Sequence, residues 1–499
     1  MIHLPQPSRT HRNFVVAAIM ASMFMIAIEA TIVATAMPLV VAQLGGIEIY
    51  SWVFAAFLLA QTATTVVFGK LADLYGRRPV ILAGIAIFVI GLVLGGLAWS
   101  MPSMIVFRLI QGAGAGAIQP VAMTIVADLY PLRDRGKIQG HIASVWAFSA
   151  VAGPLAGSAI IQNLPWSWVF WINIPVGLAA AACYVFFLRE EAHHKAPSID
   201  IAGALLFAAA IGALMFSLAR LGGDHGPEVW YTLAVFVVAS ALFAVQERRA
   251  ADPMVSFALW RRRPIATANA VALLAAMALI GITTFLPMYV QLVLHRSPMI
   301  AGFALSLMLL GWPAGATIAA RTFHRVGLRK VLLTGSLFLP VGAMCFVVLT
   351  PESSPALAGA GAALMGLGMG LSSVCCLMLI QETAGSTQRG SATASNLFAR
   401  NLGSTLGATM LGAVVNFGLV RGTGSSSVNA DQLRRLIESP ERLGDAAAQL
   451  LTTLHGAMHL MFQAMLVVTL LIVIAAVLVP DLVIHRAPKP AEQVPSPSD

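Results

Sequence analysis

YSWVFAAFLLAQTATTVVFGKLADLYGRRPVILAGIAIFVIGLVLGGLAWS, residues 50–100, decides the fold class. Two apolar runs, each of the roughly 20 residues that a helix needs to cross a bilayer, flank a short hairpin carrying Lys70, Asp73, Arg77 and Arg78. The runs are continuous rather than alternating in polarity, so they read as helices and not as barrel strands. Gly69 and Gly76 bound the hairpin and supply the backbone freedom of a tight connection.

The same pattern continues in both directions. Apolar runs are expected to span at 14–38, 50–69, 79–100, 104–127, 139–161 and 168–187, and again at 265–292, 299–320, 330–349, 356–380, 392–418 and 456–480. Two shorter runs, 201–219 and 230–246, lie between the two sets. The chain therefore reads as an all-helical membrane protein with fourteen transmembrane helices, two halves of six plus two inserted. Its parts are a cytoplasmic N-terminus (1–13), a first six-helix half (14–187), a linker with the two inserted helices (188–264), a second half (265–480, with an outer loop at 419–455) and a cytoplasmic tail (481–499).

Composition agrees. Of the 499 residues, 58% are apolar and 10% charged, against roughly 25% charged in a soluble domain, which leaves too little charge to coat a water-facing surface. The net charge of +9 comes from Lys and Arg between the runs. No folded basic domain results, which excludes a nucleic-acid partner and leaves the lipid bilayer as the surroundings. Most of the 30 Lys and Arg fall on the side that holds both ends of the chain, placing both termini in the cytoplasm and the protein in the cell (inner) membrane. Ala34-Thr35-Ala36 has the small residues of a signal-peptide cleavage site, but the run before it flows into a polytopic chain, so an uncleaved first span is expected. Cys183, Cys345, Cys375 and Cys376 all sit in apolar runs without metal or redox spacing. His455 and His459 share a helical face but have no third ligand in view, so no metal site is expected. No GxSxG, HExxH or Walker A string is present, so no enzyme site is readable.

A shift of 254 residues lays Gly112, Gly114 and Gly116 on Gly366, Gly368 and Gly370, Asp128 on Glu382, Arg135-Gly136 on Arg389-Gly390, and Gly153 on Gly407. The two halves thus read as a parallel repeat, an arrangement transporters use to build a central site.

Charges inside the spans are few, and each is expensive to bury. Glu29 is the one acid deep in a span, in Ile28-Glu29-Ala30-Thr31-Ile32-Val33-Ala34-Thr35-Ala36-Met37-Pro38; Arg108 and Arg400 are the intramembrane cations. A carboxyl group in such surroundings can take up and release a proton, and a structural partnership with Arg108 is the plainer alternative. Arg108-Leu109-Ile110-Gln111-Gly112 precedes a glycine stripe suited to close helix packing. Gly153-Pro154-Leu155-Ala156-Gly157 combines small residues with a proline that interrupts the helical hydrogen-bond ladder. Trp166-Ser-Trp168-Val-Phe-Trp171-Ile-Asn173-Ile-Pro175 reads as an interfacial aromatic belt, and Asp431 to Leu454 as an amphipathic helix at the outer surface.

These motifs, in this order, resemble the major facilitator superfamily, and in particular its fourteen-span drug:proton antiporters, the multidrug and quaternary-ammonium efflux pumps. The resemblance implies that Gly69, Asp73, Gly76, Arg77 and Arg78 form the family's signature hairpin, with Asp73 and Arg77 latched to Asp128 at an inner gate. It implies that Arg108, Gln111 and Gly112 are the proton-transfer motif of span 4, and that Gly153, Pro154 and Gly157 are the antiporter motif of span 5. Those exporters usually carry Asp at the position of Glu29 and Asn at that of Ala34. In the second half the hairpin is degenerate, Gly327-Leu328-Arg329-Lys330 with His324 in place of the acid. The function implied is export of lipophilic, cationic or amphiphilic small molecules by alternating access. A proton gradient drives it, and no cofactor or metal is needed. Glu29 and Arg108 would couple the proton, with Met23, Met25, Gln61 and Trp146 at the substrate cavity. Rival readings are a dedicated exporter of one antibiotic, siderophore or metabolite, and a non-transporting receptor or scaffold. A periplasmic adaptor is a further conceivable partner.

Overall fold

The computed structural model describes residues 9–130, 132–188, 201–220, 227–250, 257–423 and 445–480. Its helices are α1 (Arg9–Leu44), α2 (Tyr50–Tyr75), α3 (Arg77–Gly96), α4 (Met101–Leu129), α5 (Leu132–Asn163), α6 (Trp168–Trp171), α7 (Ile174–Phe187), α8 (Ile201–Arg220), α9 (Pro227–Arg249), α10 (Phe257–Trp260), α11 (Arg263–Leu292), α12 (Pro298–Val326), α13 (Leu328–Val347), α14 (Pro355–Thr423) and α15 (Asp445–Val477). No strand occurs among the described residues. Thirteen spans among them are long and apolar enough to cross a bilayer, and α8, with a shorter apolar stretch at Leu205–Leu218, accounts for the fourteenth.

Two of the expected spans share one helical run. The segments Pro355–Ala384 and Ser395–Arg421 both belong to α14. A Cβ on Gly361 would touch Phe346, which stacks on Phe462 of α15, and one on Gly418 would touch Ala457 of the same helix. Both ends of α14 therefore lie at the same end of the bundle, and the run folds back between its two spans. The expected surface helix at 431–454 is corrected in part. Residues 424–444 lie outside the described set, but Asp445 to Leu454 form the first turns of α15, continuous with the last span.

Helix packing repeats with the sequence. An added Cβ on Gly112 would strike the Phe57 carbonyl of α2, and one on its repeat partner Gly366 would strike the Met308 carbonyl of α12. Gly114 approaches Gly84 and Phe88 of α3 as Gly368 approaches Gly335 and Phe338 of α13; Gly153 approaches α1 as Gly407 approaches Met277 of α11. Such contacts bring the backbones together where any side chain would hold them apart. The repeat extends to single hydrogen bonds. Arg78 Nη2 donates to the Val185 carbonyl at 2.6 Å, and Arg329 Nη2 donates to the Val477 carbonyl at 3.2 Å. Each arginine ties the hairpin end of its half to the last helix of that half.

The two hairpin turns share a backbone solution. Gly76 has φ 93° and ψ 159°, and Gly327 has φ 97° and ψ 146°, a region essentially closed to residues with a Cβ. A Cβ on Gly327 would meet nothing within 4 Å, so Gly327→Ala tests conformation alone. We expect it to lower stability by about 1–3 kcal/mol in thermal unfolding of the detergent-solubilised protein. Gly69→Ala is the control. Gly69 is helical with equal space around it, and the substitution should be neutral or slightly stabilising.

The halves meet at the end opposite the hairpins. Tyr50 Oη donates to the Thr284 carbonyl at 2.9 Å, Gln291 Nε2 donates to the Thr35 carbonyl at 3.0 Å, and Gly412 lies against Ser51. The inserted pair is held asymmetrically. Phe207 of α8 packs on Phe398 at 5.4 Å and on Phe243 of α9 at 5.8 Å, in a cluster that includes Ala55, Leu59 and Ala408. Thus α8 is seated on both halves, whereas α9 leaves Trp230, Val235, Val237 and Val238 exposed, as a lipid-facing helix would.

Candidate functional site

Four polar side chains from three helices meet in an otherwise apolar interior. Glu29 of α1, Arg108 and Gln111 of α4, and Asn173 at the start of α7 are each 2% exposed or less. Arg108 Nη1 donates to Glu29 Oε1 at 2.9 Å and to Gln111 Oε1, while Asn173 Nδ2 donates to Glu29 Oε2 at 2.9 Å. The guanidinium also donates from Nε to the Val53 carbonyl at 3.2 Å and lies 4.3 Å from the centre of the Phe57 ring. Both carboxylate oxygens and several guanidinium donors are thus occupied, as burial of an ion pair requires.

The local sequence places these groups. Arg108 and Gln111 are three residues apart and so share one face of α4, above the glycines that let α2 and α3 close in. Asn173 is positioned by the break between α6 and α7, where Pro175 begins the new helix. Asn173 is a site residue not expected from the sequence motifs. Its signal was present, an amide in a run otherwise built from Trp, Phe and Ile, but the tryptophans around it carried the reading.

The span 5 motif sits beside this cluster. A Cβ on Gly153 would collide with Thr31 Oγ1, two residues beyond Glu29, and Gly157 faces Ile32. Thr31 Oγ1 donates to the Ser149 carbonyl at 3.1 Å as well as to its own helix. Pro154 turns the other way and fills the space over Gly302 of α12. The Gly-Pro segment is therefore wedged between α1 of one half and α12 of the other.

Other expected site residues fall elsewhere. Gly69, Gly76, Arg77 and Arg78 are at the hairpin, but the side chains of Asp73 and Asp128 lie outside those described, as does that of His324, so the expected latch is not among the described contacts. Met23 and Met25 do not line an opening. Both are fully buried in the core, Met25 against Gly177 of α7, because α1 is packed on more than one side at this level. Gln61 is half-buried and donates to Gln119 at 3.4 Å, and Trp146 is 40% exposed. His455 Nδ1 lies 3.1 Å from Tyr289 Oη and His459 Nε2 lies 2.6 Å from the Val347 carbonyl, so each imidazole has a partner of its own.

A helical bundle of two repeated halves, with thirteen membrane-length spans and a shorter fourteenth among the described residues and a buried charged cluster between helices, has the architecture of a membrane transporter. Residues 19–408 match the Major Facilitator Superfamily, and the chain belongs to that family. It is 31% identical over 446 residues to the multidrug transporter protein MdtP of Bacillus subtilis (strain 168), covering 89% of this chain and 81% of that protein. It is 34% identical over 406 residues to multidrug resistance protein 3 of the same organism, covering 81% and 79%. Among solved structures, a bacterial homolog of the human lysosomal transporter Spinster, inward-facing and unoccupied, superposes with a TM-score of 0.67 at 14% identity. That superposition covers 94% of this chain and 98% of the other.

Proposed function

We propose that this transporter exports lipophilic small molecules in exchange for protons, and that the Glu29–Arg108 cluster is where the proton acts. The observation that carries this reading is the 2.9 Å contact between the two side chains within a closed apolar interior. Uptake of a proton by Glu29 would remove one charge of the pair and free Arg108 to rely on Gln111, the Val53 carbonyl and the Phe57 ring. Any shift of α1 that follows passes directly to Thr31, which holds Ser149 of α5, and to Thr35, whose carbonyl holds Gln291 of the other half. A charge change at one site thereby biases the seam on which alternating access turns. The driving force is adequate. One proton moving down roughly 100 mV yields about 2.3 kcal/mol, and one pH unit adds about 1.4. The names of MdtP, a multidrug transporter, and of multidrug resistance protein 3 support drug-like small molecules as the substrates, and an outward direction is the one by which transport would confer resistance.

The test is flux into inverted vesicles or proteoliposomes under an imposed pH gradient, with ethidium and a lipophilic organic anion as probes. The parent should accumulate at least one of them in proportion to the gradient, and Glu29→Gln should retain downhill exchange but lose that dependence. Gradient-driven accumulation that survives in Glu29→Gln would remove Glu29 from the coupling step. No flux of either probe would favour a narrow-substrate exporter.

A further inference from the structure

The second half holds a cavity of about 280 Å³, lined by residues of α11, α12 and both spans of α14. Most of its wall is apolar, including Val271, Ala272, Ala276 and Met369. Its polar groups are Ser372, Ser373, Thr393, Asn396 and, as its one charge, Arg400; no Asp or Glu lines it. The first half matches its buried arginine with Glu29, whereas among the described residues no carboxylate stands against Arg400. Among the described residues its recorded contact is with the Trp312 ring, 5.3 Å from the guanidinium carbon to the ring centre.

Depth separates this arginine from one that merely reaches for the surface. Trp312 stands halfway along α12, fourteen residues from Pro298 and fourteen from Val326. Its carbonyl lies against Gly370, which is itself at the middle of the Pro355–Ala384 span. Arg400, five residues into its own span, therefore extends its head group toward the mid-membrane level of the half rather than out to the lipid headgroups. A permanent cation at that depth calls for an anion or for water. Asn396, one turn before Arg400, is fixed by donating to Asn269 at 3.2 Å, and Asn269 in turn donates to Ser395 at 3.0 Å. One wall of the cavity is therefore preorganised rather than loose. The residue that corresponds to Arg400 in the first half is Trp146, so the charge belongs to this half alone.

We propose that this cavity is a substrate subsite for the anionic group of a lipophilic organic acid or zwitterion. Arg400 pairs with the carboxylate, Asn396 and Thr393 donate beside it, and Trp312 and the Val271 to Ala276 face take the apolar body. This rests on the export reading above and narrows its substrate class: an amphiphile with a negative group is preferred over a purely cationic one. A planar guanidinium suits a carboxylate because it can donate two parallel hydrogen bonds.

Equilibrium binding tests this without any gradient, so failure here and failure of proton coupling are distinguishable. The full chain in nanodiscs of zwitterionic lipid is titrated with dansyl-phenylalanine and with its neutral amide, read by dansyl fluorescence. The parent should bind the acid about tenfold more tightly than the amide, Arg400→Gln should abolish that ratio while leaving amide binding unchanged, and Arg400→Lys should keep part of it. Ala276→Asp, which adds a carboxylate to the wall with Arg400 intact, should also lower acid affinity, and it serves should Arg400→Gln fail to fold. Equal binding of acid and amide by the parent, or a preference that survives in Arg400→Gln, would overturn the proposal. Loss of the preference when anionic lipid is added to the nanodisc, with no competition by the acid in return, would assign the cavity to a lipid phosphate and overturn it as a substrate subsite.

Discussion

Glu29→Leu should be among the most destabilising single substitutions in this protein, by about 3–5 kcal/mol, because it strands a buried cation. Arg108→Met should cost markedly less, although it removes the larger side chain and more hydrogen bonds. The asymmetry is chemical. A guanidinium remains charged under all working conditions, whereas a carboxyl group can bind a proton and become a neutral hydrogen-bonding group. After Glu29→Leu, Arg108 keeps Gln111, the Val53 carbonyl and the Phe57 face, which solvate the charge without neutralising it. After Arg108→Met, Glu29 keeps Asn173 and can shed its charge. The double variant Glu29→Leu/Arg108→Met should be more stable than Glu29→Leu alone, since a well-packed apolar pair often equals a buried ion pair. Thermal unfolding of the four proteins in one detergent measures this cycle. Additive losses, with the double variant the worst, would show that the pair is not energetically coupled.

The same physics explains which parts of this site were readable from sequence. A lone acid or arginine in a 25-residue apolar run stands out because its burial is costly, and Glu29, Arg108 and Arg400 were each visible on that ground. Their partnerships were another matter. That Arg108 meets Glu29 while Arg400, among the described residues, meets the Trp312 ring depends on which helix faces are turned inward, and composition does not encode that. Asn173 was hidden because amides are unremarkable near a membrane interface, and only the α6–α7 break turns this one toward α1. Met23 and Met25 were misplaced for the converse reason: apolar residues two apart on a helix point in different directions, and in a protein greasy on its lipid face as well, apolarity does not separate core from cavity. The glycines were the most faithful guides. Gly112 and Gly366, Gly114 and Gly368, Gly116 and Gly370, and Gly153 and Gly407, pairs that the 254-residue shift brought together, are found at helix crossings of the same kind, because a missing side chain has a single structural consequence wherever two backbones touch. The fold-back within α14 was expected as a loop. Residues 381–390 contain no proline, and no strand or extended loop separates the two spans.

Gly153→Leu should abolish transport while leaving a folded, membrane-inserted protein. Even a single added methyl at this position meets Thr31 Oγ1, the hydroxyl that bonds the Ser149 carbonyl, so a leucine must push α5 away from α1 or displace the Thr31 hydrogen bond. Overpacking of this kind typically costs about 1–3 kcal/mol. That is survivable for a bundle of this size. The functional loss should be larger because α5 cannot retreat from α1 without pressing Pro154 further onto Gly302 of the other half. The wedge has backbone or near-backbone contact on both sides, and a displacement on one side is delivered to the other. Gly157→Ala is the graded comparison: its new methyl would sit 3.2 Å from Ile32 Cγ1 and 3.4 Å from the Ile32 carbonyl, contacts that small shifts can relieve, so most transport should remain. A second-site change then separates seam from general packing. Thr31→Ala should partly restore Gly153→Ala by removing the hydroxyl in its way, but should do nothing for a defect placed on the opposite side by Gly302→Ala. If Thr31→Ala rescues neither, or both equally, the Gly-Pro segment does not transmit α1 motion across the interface, and the route from Glu29 to the second half must run through Thr35 and Gln291 instead.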